Sequence, residues 1–152
     1  VVTAVDLLMG RAAAGERVLM VGGGLTGCET ALYLAQKGCK VTILKRTETI
    51  LPELYLANRE HLLLLLSQWK VNFITGVRLR EVTGEGLVMD RNGQNERLEA
   101  DTIVLASGLQ PSKELEKALA GQVPELLAVG DCVEPRKIIN AVWEGFHAAL
   151  NI

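Results

Sequence analysis

Arg17-Val18-Leu19-Met20-Val21-Gly22-Gly23-Gly24-Leu25-Thr26-Gly27 is the stretch on which the fold turns. An apolar run without alternation fits a strand buried on both faces, as parallel strands are. It breaks on three glycines. From Thr26 to Lys37, Ala31, Leu32, Leu34 and Ala35 recur at helical spacing, and Gly38 supplies a stop. Lys40 to Leu44 is the next strand-like run. Strand, helix and strand within about thirty residues predict a right-handed βαβ unit.

Gly22 to Gly27 reads G-x-G-x-x-G. The pattern is weak alone and gains weight from its place after a strand and at the start of a helix. Gly22 permits the tight turn, Gly24 lets the backbone approach a pyrophosphate, and Gly27 lets the helix sit close on the strand. The free N–H groups and the positive end of the helix dipole then face phosphates. Gly22, Gly23, Gly24, Leu25, Thr26 and Gly27 are therefore the candidate dinucleotide site, against the alternative of a glycine-rich turn with no ligand.

The end of the second strand selects the dinucleotide. NAD and FAD sites place a carboxylate there, about 20 residues after the motif, to bond the adenine ribose. This chain has Lys45-Arg46. A guanidinium grips a 2′-phosphate with paired charge-assisted hydrogen bonds, which predicts a preference for NADP(H) over NAD(H), with Arg46 the clamp and Lys45 in support. The alternative is a solvated strand end. Glu29, near the start of the helix, either complements the dipole or turns toward the nicotinamide.

The remaining chain adds elements but no catalytic set. Val1 to Met9 is short and apolar-rich, with Thr3 a candidate N-cap, and Pro52 suits the start of a helix running to about Lys70. Val71 to Thr75 reads as a strand. Val77 to Val82, Gly86 to Asp90 and Glu96 to Glu99, with Asn92-Gly93 between the last two, predict an antiparallel meander. Thr102 to Ala106 returns as an apolar strand, followed by a short helix near Lys113 to Ala120, a strand at Leu126 to Val129 and a helix at Ile138 to Leu150. Tyr33 and Lys37 spell Y-x-x-x-K on the first helix of the βαβ unit and read as surface. His61, His147, Trp69 and Trp143 read as packing, surface or interface residues, so neither a catalytic residue nor a metal ligand is expected.

Composition narrows the class. The 152 residues carry 16 Lys and Arg against 18 Asp and Glu, a net −2 without a basic stripe, which excludes a nucleic-acid interface from the leading readings. Hydrophobic content of 49% excludes general disorder. The longest apolar run, Leu62 to Leu66, is too short to span a membrane. Cys28, Cys39 and Cys132 form no CxxC, as expected of a reduced, cytoplasmic protein.

Three segments together resemble the two-dinucleotide-binding-domain flavoproteins: Val18 to Ala31, Asp101 to Pro111, and Leu126-Leu127-Ala128-Val129-Gly130-Asp131-Cys132. Val1 to Ala4, Glu134 to Ile138 and Glu144-Gly145 make the chain most similar to the old-yellow-enzyme-like NADH:flavin oxidoreductase family, which includes 2,4-dienoyl-CoA reductase and trimethylamine dehydrogenase. The resemblance implies an α/β Rossmann-like parallel sheet with helices on both faces plus a small antiparallel meander. It further implies a parent oxidoreductase with an FMN-bearing barrel, a 4Fe-4S cluster and an FAD domain into which a nucleotide domain is inserted. NAD(P)H bound at Gly22 to Gly27 would pass hydride to FAD. By the same resemblance Ala106, Gly108 and Leu109 flank the nicotinamide nucleotide, Gly130 allows close approach of the flavin and Asp131 bonds its ribityl chain.

Departures bear on this. The chain shows no earlier glycine motif for FAD and no cluster cysteines. Residues 1–122 are expected to form the NAD(P)H domain, 1–15 being its lead-in helix and linker, and 123–152 a returning segment of the FAD domain. Val1 then reads as a cut at an interdomain junction, and the partners are the dinucleotide and the remaining FAD and barrel domains. Two rivals stay open: a module holding ADP or a dinucleotide without redox work, as the resemblance to trimethylamine dehydrogenase allows, and a glycine motif that holds FAD itself.

Overall fold

The computed structural model describes residues 1–151, in two compact units that meet in sequence between Ser107 and Gly108. In the first, β1 (Val2–Thr3) leads into α1 (Ala4–Leu8), and β2 (Arg17–Val21), α2 (Leu25–Gln36) and β3 (Lys40–Leu44) form the βαβ unit. Then come α3 (Leu56–Gln68), β4 (Asn72–Ile74), the strands β5 (Val77–Thr83), β6 (Gly86–Arg91) and β7 (Gln94–Glu99), and finally β8 (Thr102–Leu105). Thr3 caps α1, its Oγ1 accepting from the Asp6 N–H at 3.0 Å.

The main sheet runs β1-β8-β2-β3-β4 and every pair in it is parallel. Successive strand residues point to opposite faces, and the two faces carry different partners. Val18, Met20, Val41, Ile43 and Val104 cluster with Leu7 of α1, Ala31, Leu34 and Ala35 of α2, and Leu66 of α3. Leu19, Leu44 and Ile103 cluster instead with Val77, Leu87 and Met89 of the antiparallel sheet β5-β6-β7. The expected α/β Rossmann-like fold stands, with one refinement: in this unit helices cover one face and the meander covers the other. Each large side chain so buried contributes about 1.5–3 kcal/mol.

The meander turns where the sequence predicts. Asn92 and Gly93 adopt φ of 54° and 81°, the left-handed pair that matches a hairpin's twist, and the Gly93 N–H donates to Asp90 Oδ1 at 3.0 Å. Elsewhere the expectations need correcting. Pro52 does not start α3, which begins at Leu56. Leu51 is buried with φ at 53°, so the chain reverses there in an irregular turn before the helix can form. Leu126 to Val129 is not a strand, because among the described residues no neighbour forms a ladder with it.

The second unit holds α4 (Glu114–Leu119), a single 3-10 turn at Gly130–Cys132 and α5 (Ile138–Leu150). Among its described residues only Gly130 is buried. Neither tryptophan enters a core: Trp69 is 46% exposed and Trp143 59%. No helix among the described residues is long and apolar enough to cross a membrane.

Candidate functional site

β2 lies between β3 on one side and β8 on the other, so chain connections leave it in opposite directions and open a crevice at the carboxyl ends of the strands. Gly22 to Gly27 follows β2 there, Lys45 and Arg46 follow β3, and Ala106 follows β8. One fold feature thus gathers nine candidates from three parts of the sequence. Glu29 lies one helical turn farther along α2, exposed.

Three glycines of the motif meet different surroundings. Gly22 has φ of 120°, and a Cβ there would lie 2.3 Å from the Ala106 carbonyl oxygen. A Cβ on Gly27 would lie 2.0 Å from the Gly22 carbonyl oxygen. Both positions are closed by backbone, which forces glycine for packing alone. Gly24 is different: a Cβ there would meet only Glu53 Oε1, at 3.4 Å. No backbone closes its space, only the end of an exposed side chain. Gly24 is also the N-cap of α2 and brings no side chain to cap it, so the first N–H groups of the helix face an anion supplied from elsewhere. A dinucleotide pyrophosphate fits that cradle.

The two cations of the β3 end divide. Lys45 is half-buried and folds back, its Nζ donating to the Gly23 carbonyl at 3.1 Å. Arg46 is exposed. The adjacent turn then returns to the glycine loop. The Leu51 N–H donates to the Gly23 oxygen at 3.3 Å, Arg59 Nε donates to the Ile50 oxygen at 2.8 Å, and Glu53 Oε1 accepts from the Leu25 N–H at 3.1 Å. Sequence reasoning missed Glu53. Its partner is 28 positions away, and the one signal was a carboxylate just beyond the Lys45-Arg46 pair.

Several candidates for chemistry fall away on geometry. Cys28 is fully buried, and desolvation pushes its thiol up to about 12, with Lys45 opposing and Glu53 and Glu29 adding to the rise. A thiol so protonated is a packing group. Lys37 Nζ sits 4.4 Å from the centre of the Tyr33 ring on the surface of α2. His147 is exposed between the rings of Trp143 and Phe146, and His61 is exposed on α3. Among the described residues no group of three His, Cys, Asp or Glu could hold a metal ion.

Within the second unit, Leu109 and Asp131 line a cavity of about 210 Å³ with Gln110, Ser112, Cys132 and Pro135. Gly130 has φ of 72°, and a Cβ there would press on Ala141 Cβ at 3.2 Å. The turn is held by polar contacts that the sequence reading did not foresee. The Gly130 N–H donates to Glu144 Oε2 at 2.6 Å, Arg136 pairs with the same carboxylate, and the Arg136 N–H donates to Asp131 Oδ1 at 3.3 Å. Gly108 is exposed.

Comparison with known proteins agrees with this geometry. Residues 3–145 match the family model described as pyridine nucleotide-disulphide oxidoreductase. The whole chain is 36% identical to a cinnamate reductase of Clostridium sporogenes, covering 23% of that protein. Over 97% of its length it is 34% identical to an NADH oxidase of Thermoanaerobacter brockii, again covering 23% of that protein. A solved 2-naphthoyl-CoA reductase in complex with 2-naphthoyl-CoA superposes with a TM-score of 0.90 at 28% identity, over 99% of this chain and 23% of that one. The chain thus spans about a quarter of the length of these relatives.

Proposed function

Since the chain belongs to the pyridine nucleotide-disulphide oxidoreductase family, in the old-yellow-enzyme-like branch its motifs indicated, we propose that it is the nucleotide-binding part of a flavin-dependent oxidoreductase. It binds NAD(P)H, with NADPH favoured, and presents it to FAD. The observation that carries this reading is Gly24, bounded at the N-terminus of α2 by an exposed side chain alone while Gly22 and Gly27 are closed by backbone.

The N–H groups at the start of α2 hold the pyrophosphate, and the Gly24 backbone lets it approach. Lys45 braces the glycine loop through the Gly23 carbonyl, which leaves Arg46 as the side chain able to reach a 2′-phosphate. Ala106, Gly108 and Leu109 flank the nicotinamide end, and Glu29 turns its carboxylate toward it. Gly130 permits close approach of the flavin while Asp131 bonds its ribityl chain. When bound, the nicotinamide supplies a hydride that the flavin accepts, so no side chain of this chain serves as acid or base.

On this reading residues 1–122 are the NAD(P)H domain and 123–152 belong to an FAD-binding domain. The apolar residues that α5 leaves exposed, Ile138, Val142, Trp143 and Phe146 among them, support that placement. FMN and a 4Fe-4S cluster belong to other parts of the parent enzyme. Three free cysteines support a reduced, cytoplasmic setting.

Calorimetric titration with NADPH, NADH, ADP and FAD tests the proposal. NADPH binds most tightly of the four, FAD binds little, and Arg46→Ala weakens NADPH about tenfold while leaving NADH unchanged. Stoichiometric FAD binding would overturn the assignment of the glycine motif. ADP binding as tightly as NADPH would favour a holding module without redox work.

A further inference from the structure

We infer that Glu53 occupies the phosphate position of the glycine loop and must withdraw for a dinucleotide to enter, so that this carboxylate sets the affinity of the site. The inference rests on the dinucleotide reading of Gly22 to Gly27. Its grounds lie in three contacts at one end of α2. Glu53 Oε1 accepts from the Leu25 N–H at 3.1 Å, on a donor that the helix itself leaves unsatisfied. The same oxygen lies 3.4 Å from the point a Cβ on Gly24 would take, in the part of the cradle that backbone does not close. The turn that delivers it is tied to the loop by the Leu51 N–H, which donates to the Gly23 oxygen at 3.3 Å.

An anion at this end of a helix is favoured by the dipole, whether it is a carboxylate or a phosphate. Gly24 as N-cap brings no side chain of its own, so a remote carboxylate supplies the charge. A pyrophosphate brings at least two negative charges to the same donor and repels Glu53 as it arrives. Glu53 is exposed, so it has solvent to swing into, and the turn behind it stays anchored by buried Leu51. The affinity for a dinucleotide is then the difference between two anions competing for one helix end.

The test is titration of the purified chain and its Glu53→Gln and Glu53→Asp variants with NADPH and with adenosine, while the Leu25 amide resonance is followed by NMR. Neutralising Glu53 tightens NADPH about two- to fivefold, from the value of an exposed charge at a helix N-terminus. Glu53→Asp, one methylene shorter, falls between. Adenosine, which carries no phosphate, binds all three alike. The Leu25 amide shifts in ligand-free Glu53→Gln and converges with the parent chain once NADPH is bound. Equal NADPH affinity in parent chain and Glu53→Gln, or weaker binding in the variant, overturns the competition and leaves the dinucleotide reading standing. NADPH binding to neither protein overturns the dinucleotide reading and the competition with it.

Discussion

The two units are held by different means. Val1–Ser107 buries apolar residues on both faces of a parallel sheet, and its polar contacts decorate a core that is already closed. From Gly108 onward, Gly130 is the one buried residue among those described, and α5 shows Ile138 at 85% exposure and Phe146 at 60%. There the order comes from Glu144, which takes the Gly130 N–H and Arg136 together. The same helical and turn elements can be fixed by burial or by a charged hydrogen-bond junction, and the two respond differently to substitution.

The strongest way to break this contrast is to delete equivalent apolar side chains. Ile43→Ala, in the fully buried centre of β3, is expected to cost about 2–5 kcal/mol in urea unfolding. Ile139→Ala, on the exposed side of α5, is expected to change stability by less than about 0.5 kcal/mol. A comparable loss from both would show that the second unit has a core of its own. A smaller effect sharpens the polar side. Glu144→Gln is expected to loosen the Gly130 turn by about 1 kcal/mol, seen as roughly fivefold faster exchange of the Gly130 amide, with β2 and β3 amides unchanged.

The smallest effect belongs to a polar junction of the first unit. Asp101 bonds the Arg17 N–H at 2.8 Å and its guanidinium at 2.8 Å, tying the start of β8 to the start of β2. The Arg17 side chain, then its N–H, hold the Asp101 carboxyl below its usual range. The folded state therefore binds this proton less readily than the unfolded chain does. Its stabilisation is fully present above the ordinary aspartate value, about 3.9, and is lost as pH falls from there through the depressed one. Asp101→Asn is expected to flatten acid unfolding slightly in that window and to leave stability at neutral pH little changed, because the pair is exposed. A shift as large as that of Ile43→Ala would mean the first unit depends on its polar rim as well.

The contrast also explains what could be read from the chain. β2 and β3 begin and end where the apolar run and the β-branched run do, and Asn92-Gly93 turns as its φ preference demands, because these features are local. Gly22 and Gly27 carried their constraint in the motif. What stayed hidden was set by partners far along the chain. Lys45 folding onto Gly23, and Glu53 onto Leu25, require the β3 end and the glycine loop to be neighbours, which periodicity does not encode. Leu126 to Val129 has the composition of a strand, yet a strand is a property of a pair.

The meander that covers the second sheet face has a consequence in time. β2 and β3 leave a ribosome before the meander does, with Leu19 and Leu44 facing a side that Val77, Leu87 and Met89 close only later. β8, which lies against β2 in the finished sheet, is made only after the whole meander. At about 5–20 residues per second, the roughly sixty residues between β3 and the end of β8 take roughly 3–12 s to appear. For that interval the nascent βαβ unit presents an apolar sheet face and an open strand edge, the features that chaperones bind and that neighbouring nascent chains can pair with.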